Sequence, residues 1–358
     1  MSSAQFTGTA AVQERHRFDE VALASFLRGC LPGFEGPMQV RQFKGGQSNP
    51  TFLLGTPGAS YVLRRKPPGK LLPSAHAIDR EYRVLSALRD SHVPVPKTHC
   101  LCEDEAVIGT AFYVMEHVAG RILWDPALPG MSPAERAAIF DSMNATIAAL
   151  HRVDFGAVGL ADFGKPGNFF ARQIGRWTMQ YRASETERIE PMERLIEWLP
   201  AHIPASEAAA LVHGDYRLDN LVFHATEPRV IAVLDWELST LGHPMADFAY
   251  HAMAWSMPIG EMRGLAGLDL QPLGIPGADA YVERYCERVG AALPAPLEWN
   301  FYVAYNLFRG AAISQGIMKR ALDGSAASAH ALQAGSRARA VAEAAWQRIA
   351  GNTGQTPN

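Results

Sequence analysis

The stretch from Leu211 to Asp247 constrains this chain more than any other. It reads LVHGDYRLDNLVFHATEPRVIAVLDWELSTLGHPMAD. Two short apolar runs, 221–223 and 230–234, have the length and branched content of buried strands. Each adjoins a polar residue that packing does not call for. Asn220 immediately precedes the first run and Asp235 immediately follows the second. Asp215 stands five positions before Asn220, in an HxDxxxxN frame that begins at His213. A hard divalent cation takes carboxylate and amide oxygens and completes its shell with water and phosphate oxygens. Asn220 and Asp235 suit that task for a magnesium-bound nucleotide. Asp215 is then the separate carboxylate, able to accept the proton of an attacking hydroxyl.

Upstream, 39–43 and 51–54 read as two strands joined by Lys44-Gly45-Gly46-Gln47-Ser48-Asn49-Pro50. Gly45 and Gly46 allow a backbone to lie close to phosphate oxygens, and Ser48 and Asn49 add donors. A lone glycine pair ordinarily marks a hairpin, so the phosphate reading leans on the downstream frame. Neither GxGxxG nor GxxxxGK[ST] occurs, which argues against a dinucleotide-binding Rossmann unit and a P-loop. A third strand, SYVLRR over 60–65, puts Tyr61, Leu63 and Arg65 on one face and Val62 and Arg64 on the other. Arg65 and Lys66 are expected in solvent. A helix over 74–89 carries Ile78, Tyr82, Leu85 and Leu88 as its buried stripe. Glu81 lies beside that stripe, although a helical glutamate is ordinarily a surface residue.

The frame from His213 to Asn220, with Asp235 beyond it, resembles the catalytic loop and magnesium aspartate of eukaryotic-type kinases. Gly214 inside the frame and Trp236-Glu237 after Asp235 depart from protein kinases. HGDxxxxN followed by an LDW strand end resembles the aminoglycoside/choline phosphotransferase family. GGQSNPTF and VLRRKPPGKLLPSAHAIDREYRVL extend the likeness. Together they resemble the phosphotransferase-like domain found alone in bacteria and fused ahead of acyl-CoA dehydrogenase domains in animals. The likeness runs from about Phe18 to about Arg320.

The resemblance implies an α+β, two-lobe, protein-kinase-like fold. A small antiparallel sheet lobe and a larger, mainly helical lobe would enclose ATP and Mg2+ between them. It implies Asp215 as catalytic base and Asn220 and Asp235 as metal ligands. Arg64 stands where the phosphate-binding lysine stands, and Glu81 matches the helix glutamate that pairs with it. An arginine there is a departure, yet its forked guanidinium can still bridge phosphate and carboxylate. Glu116 and Val118 would meet adenine through the backbone at the hinge. His213 is expected to hydrogen-bond the backbone near Asp235, and Asp247 to brace the catalytic loop through backbone N–H groups.

The domains expected are a flexible arm over 1–17, a nucleotide-binding lobe over 18–116, a catalytic and acceptor-binding lobe over 117–350 and a flexible tail over 351–358. Ser132-Pro133-Ala134-Glu135 reads as a capping box that starts a helix. His151 ends that helix and is expected to be structural. A single helix is expected over 331–349, packed on the second lobe. Of the 358 residues, 48% are hydrophobic and 19% charged, with a net charge of −3, so neither nucleic acid nor an acidic or basic tail is called for. No apolar run reaches the roughly 18 residues of a membrane span, and the N-terminus lacks a hydrophobic signal core. Four cysteines with no CxxC pair are expected as free thiols of a cytoplasmic protein.

The acceptor is expected beyond Asp247. Met253, Trp255, Met257 and Met262 offer an adaptable apolar lining, and a helix from about 297 adds Tyr305 and Arg309. From Trp299 to Leu322 there is no acid, while Arg309, Lys319 and Arg320 are basic. Cationic acceptors need acidic or aromatic cages, so a small-molecule hydroxyl acceptor with an apolar body and an anionic portion is expected. The resemblance implies a hydroxyacyl chain or hydroxyacyl-CoA. An aminoglycoside or choline-type kinase is the alternative, and a non-catalytic nucleotide-binding scaffold is the alternative of another class. A metallophosphoesterase would need DxH and GNH partners, which the chain lacks. A homo-oligomer stays open.

Overall fold

The computed structural model describes residues 8–44, 49–67, 77–259, 263–324 and 330–351. Its N-terminal part comprises β1 (Thr9–Ala10), α1 (Glu20–Cys30), β2 (Gln39–Phe43), β3 (Thr51–Gly55), β4 (Ser60–Arg65), α2 (Ile78–Leu88), β5 (Thr98–Cys102) and β6 (Phe112–Glu116). The strands form one sheet in the order β1-β2-β3-β4-β6-β5, with every neighbour antiparallel. Strand alternation decides which helix each face meets. Phe52, Leu54, Leu63, Phe112 and Val114 pack with Leu23 and Leu27 of α1. Val62, Tyr113 and Met115 face Ile78, Val84, Leu85 and Leu88 of α2. Arg64 shares the face of Val62, so it points toward α2.

Two expectations are corrected here. Residues 8–17 belong to the fold rather than to a loose arm. Thr9 and Ala10 pair with Phe43 and Gln42, and the His16 ring meets the Gln42 amide at 2.9 Å. The reason is that β2 would otherwise leave its backbone groups unpaired along an open edge. Arg65 is not in solvent but buried. It donates to the carbonyls of Ile108 and His16 at 3.3 and 3.1 Å, and its guanidinium lies 5.1 Å from the Phe18 ring and 5.6 Å from the Phe52 ring. A guanidinium tolerates this because its face stacks on aromatics while its edge finds carbonyls.

The remainder is mainly helical. It contains β7 (Arg121–Ile122), α3 (Pro133–His151), α4 (Phe169–Ala183), α5 (Glu190–Ala201), β8 (Ala210–Val212), β9 (Leu221–Phe223), β10 (Val230–Val233) and β11 (Thr240–Gly242). These are followed by α6 (Pro244–Ala252), α7 (Leu270–Leu273), α8 (Ala278–Val289), α9 (Pro296–Leu322), α10 (Ala331–Gly335) and α11 (Ala338–Ala350). The short strands form two ribbons, β10-β9-β7 and β11-β8. The Ser132–Glu135 capping box forms in both directions at the start of α3.

One core runs from the α2 face of the sheet through Met143 and Ile147 of α3 to Phe248 and Tyr285. A second joins α4, α5, α9 and α11 around Phe170, Leu195, Phe308 and Val341. The single helix expected at the C-terminal end is two, broken after Gly335. A Cβ on Gly335 would lie 2.7 Å from Met318, so α10 rests directly on the backbone of α9. Among the described residues, no helix is long and apolar enough to cross a membrane.

Candidate active site

The HxDxxxxN frame begins where β8 ends. Gly214 has φ +81°, and a Cβ there would meet the Leu238 carbonyl oxygen at 2.7 Å. Both facts demand glycine and explain why the frame departs from the protein-kinase sequence at this position. The loop is held from α6. Asp247 accepts the backbone N–H of His213 at 2.7 Å and of Gly214 at 2.8 Å. Its Oδ2 also lies 3.2 Å from Nε2 of the buried His151, whose Nδ1 meets the Tyr285 hydroxyl at 2.6 Å. Burial pushes the Asp247 carboxyl up, but the His151 hydrogen bond and the neighbouring histidines pull it below the usual carboxylate range. The Asp215 N–H donates to His213 Nδ1 at 3.2 Å, and His213 Nε2 reaches the Leu234 carbonyl at 2.9 Å. These are the roles of the Nε2–H tautomer. His213 thus spans from the loop that carries Asp215 to the residue before Asp235.

Asp215, Asn220 and Asp235 are brought together by the β9–β10 pairing, in which Leu221 opposes Val233. The Leu234 N–H donates to the Asn220 carbonyl at 2.8 Å. Asn220 Nδ2 donates to both the carbonyl and Oδ2 of Asp215, at 2.9 and 3.0 Å. With its amide protons so engaged, Asn220 has Oδ1 left as its acceptor atom. The other oxygen of Asp215, Oδ1, accepts the Tyr250 hydroxyl.

Asp235 sits in the left-handed region at φ 65°. That conformation is uncommon outside glycine and recurs at functional sites. Its Oδ1 is 2.5 Å from Arg64 Nη2, and Arg64 Nε is 2.7 Å from Glu81 Oε2. Glu81, buried in the sheet–α2 seam, also accepts from Tyr113 at 3.0 Å and from Asn49 at 2.9 Å. Glu237 Oε2 stands 3.5 Å from the same guanidinium. Burial opposes the charge on Arg64, but Glu81, Asp235 and Glu237 more than offset it and raise the pKa above the usual arginine value.

Among the described residues, no group of three or more His, Cys, Asp or Glu side chains could enclose a metal. Asn220 and Asp235 would supply two oxygens. That donor set fits a cation whose remaining ligands are water and phosphate.

The other expected residues divide. Gly45, Gly46 and Ser48 lie outside the described residues. Asn49, expected among the phosphate donors, is fully buried and gives its amide to Glu81. Glu116 ends β6, its N–H donating to the Lys97 carbonyl at 2.8 Å, and Val118 follows half-buried. The His117 ring between them lies 6.3 Å from that of Phe43.

Trp255 lines a cavity of about 130 Å³ beside the loop, with Trp124, Phe140, Met143, Met253 and Met257. Arg217, Asp219, Tyr250 and Arg263 form its polar side. Met262 lies outside the described residues. Tyr305, expected to meet the acceptor, is a core residue, 5.2 Å from the Phe170 ring. The helices packed around α9 leave it no solvent face there. Arg309 lies behind the loop, donating to the Gly214 carbonyl at 2.8 Å and packing over the Tyr250 ring at 5.0 Å.

Sequence reasoning missed Tyr250, Glu237 and the Arg263–Asp219 pair, which closes at 2.5 Å. Tyr250 carried a usable signal. It lies three residues after Asp247 on one helix, and i,i+3 positions share a face.

A sequence model described as the phosphotransferase enzyme family matches residues 39–298. Mouse "Acyl-CoA dehydrogenase family member 10" is 48% identical over 341 residues, which cover 94% of this chain and 32% of that protein. Rat "Acyl-CoA dehydrogenase family member 11" is 44% identical over 345 residues, covering 95% of this chain and 44% of that protein. The chain thus spans less than half the length of these curated relatives. A crystal structure from Ralstonia eutropha JMP134, described provisionally as an aminoglycoside phosphotransferase, superposes with a TM-score of 0.86. It is 58% identical, with 93% of this chain and 98% of that chain covered. A thermostable mutant of aminoglycoside phosphotransferase APH(4)-Ia, in ternary complex with AMP-PNP and hygromycin B, shares the fold at a TM-score of 0.60. It is 15% identical, with 92% and 99% of the two chains covered. With this kinase-like fold and a family match that takes in β2 to β6, the HxDxxxxN frame and α6 to α8, the chain belongs to the phosphotransferase enzyme family.

Proposed function

We propose that the protein transfers the γ-phosphoryl group of ATP, with Mg2+, to the hydroxyl of a small molecule with an apolar body and an anionic portion. A hydroxyacyl chain or its CoA thioester is the acceptor class we favour. The observation that carries the reading is the convergence of Asp215, Asn220 and Asp235, from two loops and two strands, on the loop whose Arg217, Leu218 and Asp219 line one cavity. Asp215 would take the proton of the acceptor hydroxyl, and Asn220 and Asp235 would hold the cation. When bound, that cation neutralises charge on the phosphates. Arg64 would turn part of its fork from Asp235 to phosphate oxygens while keeping Glu81. The backbone of Glu116 and Val118 would meet adenine. Catalysis would then rest on positioning and charge neutralisation.

The cavity supports this acceptor class. Its walls are apolar and aromatic, and its polar side holds two arginines. Among the described lining residues the one acid, Asp219, is already paired with Arg217 at 3.4 Å and Arg263 at 2.5 Å. Aminoglycosides and choline are cations and would meet no free carboxylate on that wall. The four free cysteines are in keeping with a reducing cytoplasm.

The test is ATP-dependent phosphorylation of a panel of hydroxy acids, hydroxyacyl-CoAs, aminoglycosides and choline, for wild type and Asp215→Asn. Turnover of the acyl substrates, lost in Asp215→Asn while Mg·ATP still binds, is expected. Turnover of the amines alone would overturn the acceptor class. Mg·ATP binding with no turnover of any acceptor would favour a nucleotide-binding scaffold.

A further inference from the structure

We infer that Tyr250 occupies the acceptor's seat at Asp215 and suppresses phosphoryl transfer to water while no acceptor is bound. The inference rests on the reading of Asp215 as the base. A carboxylate offers two oxygens, and both are engaged. Oδ2 accepts from Asn220 Nδ2 at 3.0 Å and has Arg217 Nε at 3.4 Å, on the side of the cation ligand. Oδ1 is the oxygen left for an attacking hydroxyl, and the Tyr250 phenol holds it. The phenol is therefore hydrogen-bonded as an acceptor hydroxyl would be.

Tyr250 is also clamped. The Arg309 guanidinium packs over its ring at 5.0 Å while donating to the Gly214 carbonyl at 2.8 Å. Arg309 therefore ties the phenol, the catalytic loop and α9 into one unit. The ring at the same time forms part of the wall of the 130 Å³ cavity. An acceptor that fills this cavity gains apolar contact enough to move the ring aside. A water molecule gains none. Burial and the Asp215 charge push the phenol above its usual range, so it stays a donor and never competes as a base. The side reaction held back is hydrolysis. A water oxygen would bond to the γ-phosphorus, the bond to the β–γ bridging oxygen would break, and the water proton would pass to Asp215, giving ADP and phosphate.

The experiment needs no identified acceptor. ADP release from Mg·ATP is followed for wild type, Tyr250→Phe, Asp215→Asn and the double variant, with Mg·ATP affinity from calorimetry for each. Tyr250→Phe keeps the ring and removes the hydroxyl. It is expected to raise hydrolysis about tenfold, with ATP affinity held within about twofold. Asp215→Asn is expected to abolish that rise in the double variant. Damaged packing would not produce a gain that depends on Asp215. Arg309→Lys, which loosens the clamp on the Tyr250 ring, is expected to give a smaller rise in the same direction. Hydrolysis by Tyr250→Phe at or below the wild-type rate, with ATP still bound, overturns the inference alone. So does a rise that survives in the double variant. Absence of Mg·ATP binding by the wild type overturns the nucleotide reading and the inference with it.

Discussion

Arg64 and Asp235, 171 positions apart, meet at 2.5 Å and join the sheet to the loop that follows β10. The guanidinium divides its edge, with Nε on Glu81 and Nη2 on Asp235. A lysine has one nitrogen and no such fork. Arginine at this position therefore holds the helix glutamate and the loop aspartate together.

Arg64→Ala and Asp235→Asn should differ in what they damage. The Arg64 and Glu81 side chains are 9% and 1% exposed, whereas that of Asp235 is 30% exposed. Removing the arginine leaves Glu81 buried beside no cation, with an expected loss of about 3–5 kcal/mol. Asp235→Asn leaves the Arg64–Glu81 pair intact and should cost about 1 kcal/mol or less. It should instead remove the magnesium dependence of ATP binding. Urea unfolding and calorimetric ATP titration with and without Mg2+ check both halves. Equal stability losses for the two variants would contradict the account.

The Asp247 brace has an acid limit. Its carboxylate is held below its ordinary value by His151 and His213 despite burial. A depressed carboxylate contributes stability that is complete above the unfolded value of about 3.9 and lost as the pH falls through the lower folded value. Asp247→Asn gives up the charge and one acceptor, so about 3 kcal/mol of stability should go at neutral pH. The variant should also lack this contribution to acid unfolding below about pH 4. Denaturant midpoints at pH 7 and pH 3 measure both.

A second acid-sensitive element lies in the histidines of α6 and its cap. Burial holds His251 down at about 4, and burial with the nearby His151 holds His243 down at about 4. The unfolded chain takes up these protons near pH 6.5, but the native protein does not until about pH 4. Stability should therefore fall as the pH drops from 6.5 to 4, by about 1.4 kcal/mol per unit for each histidine. His251→Gln should remove about half of that slope. Unfolding midpoints at pH 7, 6 and 5 would refute the assignment if the slope were unchanged.

The sequence was most legible where the chemistry is local. Asp215 and Asn220 share one loop, so their spacing already implied contact. Strand parity put Arg64 on the face of Val62, but its pairing with Glu81 came from the family resemblance, since periodicity alone left Glu81 beside the buried stripe. Residues whose surroundings come from afar were not legible. Arg65 is enclosed by His16 and Phe18 from a segment that carries no strong pattern. Asn49 turns inward because Glu81, 32 positions later, accepts its amide. Tyr305 and Arg309 look equivalent on a helical wheel, one turn apart. Only the surrounding helices decide that the first is core and the second touches the loop.

Gly120 offers a test of how tightly the link after β6 must seat. A Cβ there would lie 2.3 Å from the Phe223 carbonyl oxygen and 2.5 Å from Val222 Cγ1. Both neighbours are in β9, which pairs with β7 through Arg121–Phe223 and Ile122–Val222 and starts one residue after Asn220. An added methyl must push β7 away from β9 or drag β9 with it. Either response moves the segment that carries the proposed cation ligand. Gly120→Ala should destabilise the protein by about 1–3 kcal/mol and weaken ATP binding as well. Gly175, inside α4, supplies the control, because a Cβ there meets nothing within 4 Å. Gly175→Ala should stabilise by about 0.5–1 kcal/mol, since an exposed helix interior favours alanine. Thermal unfolding of the two variants should therefore shift in opposite directions. A neutral Gly120→Ala would mean that β7 and β9 can separate without disturbing Asn220.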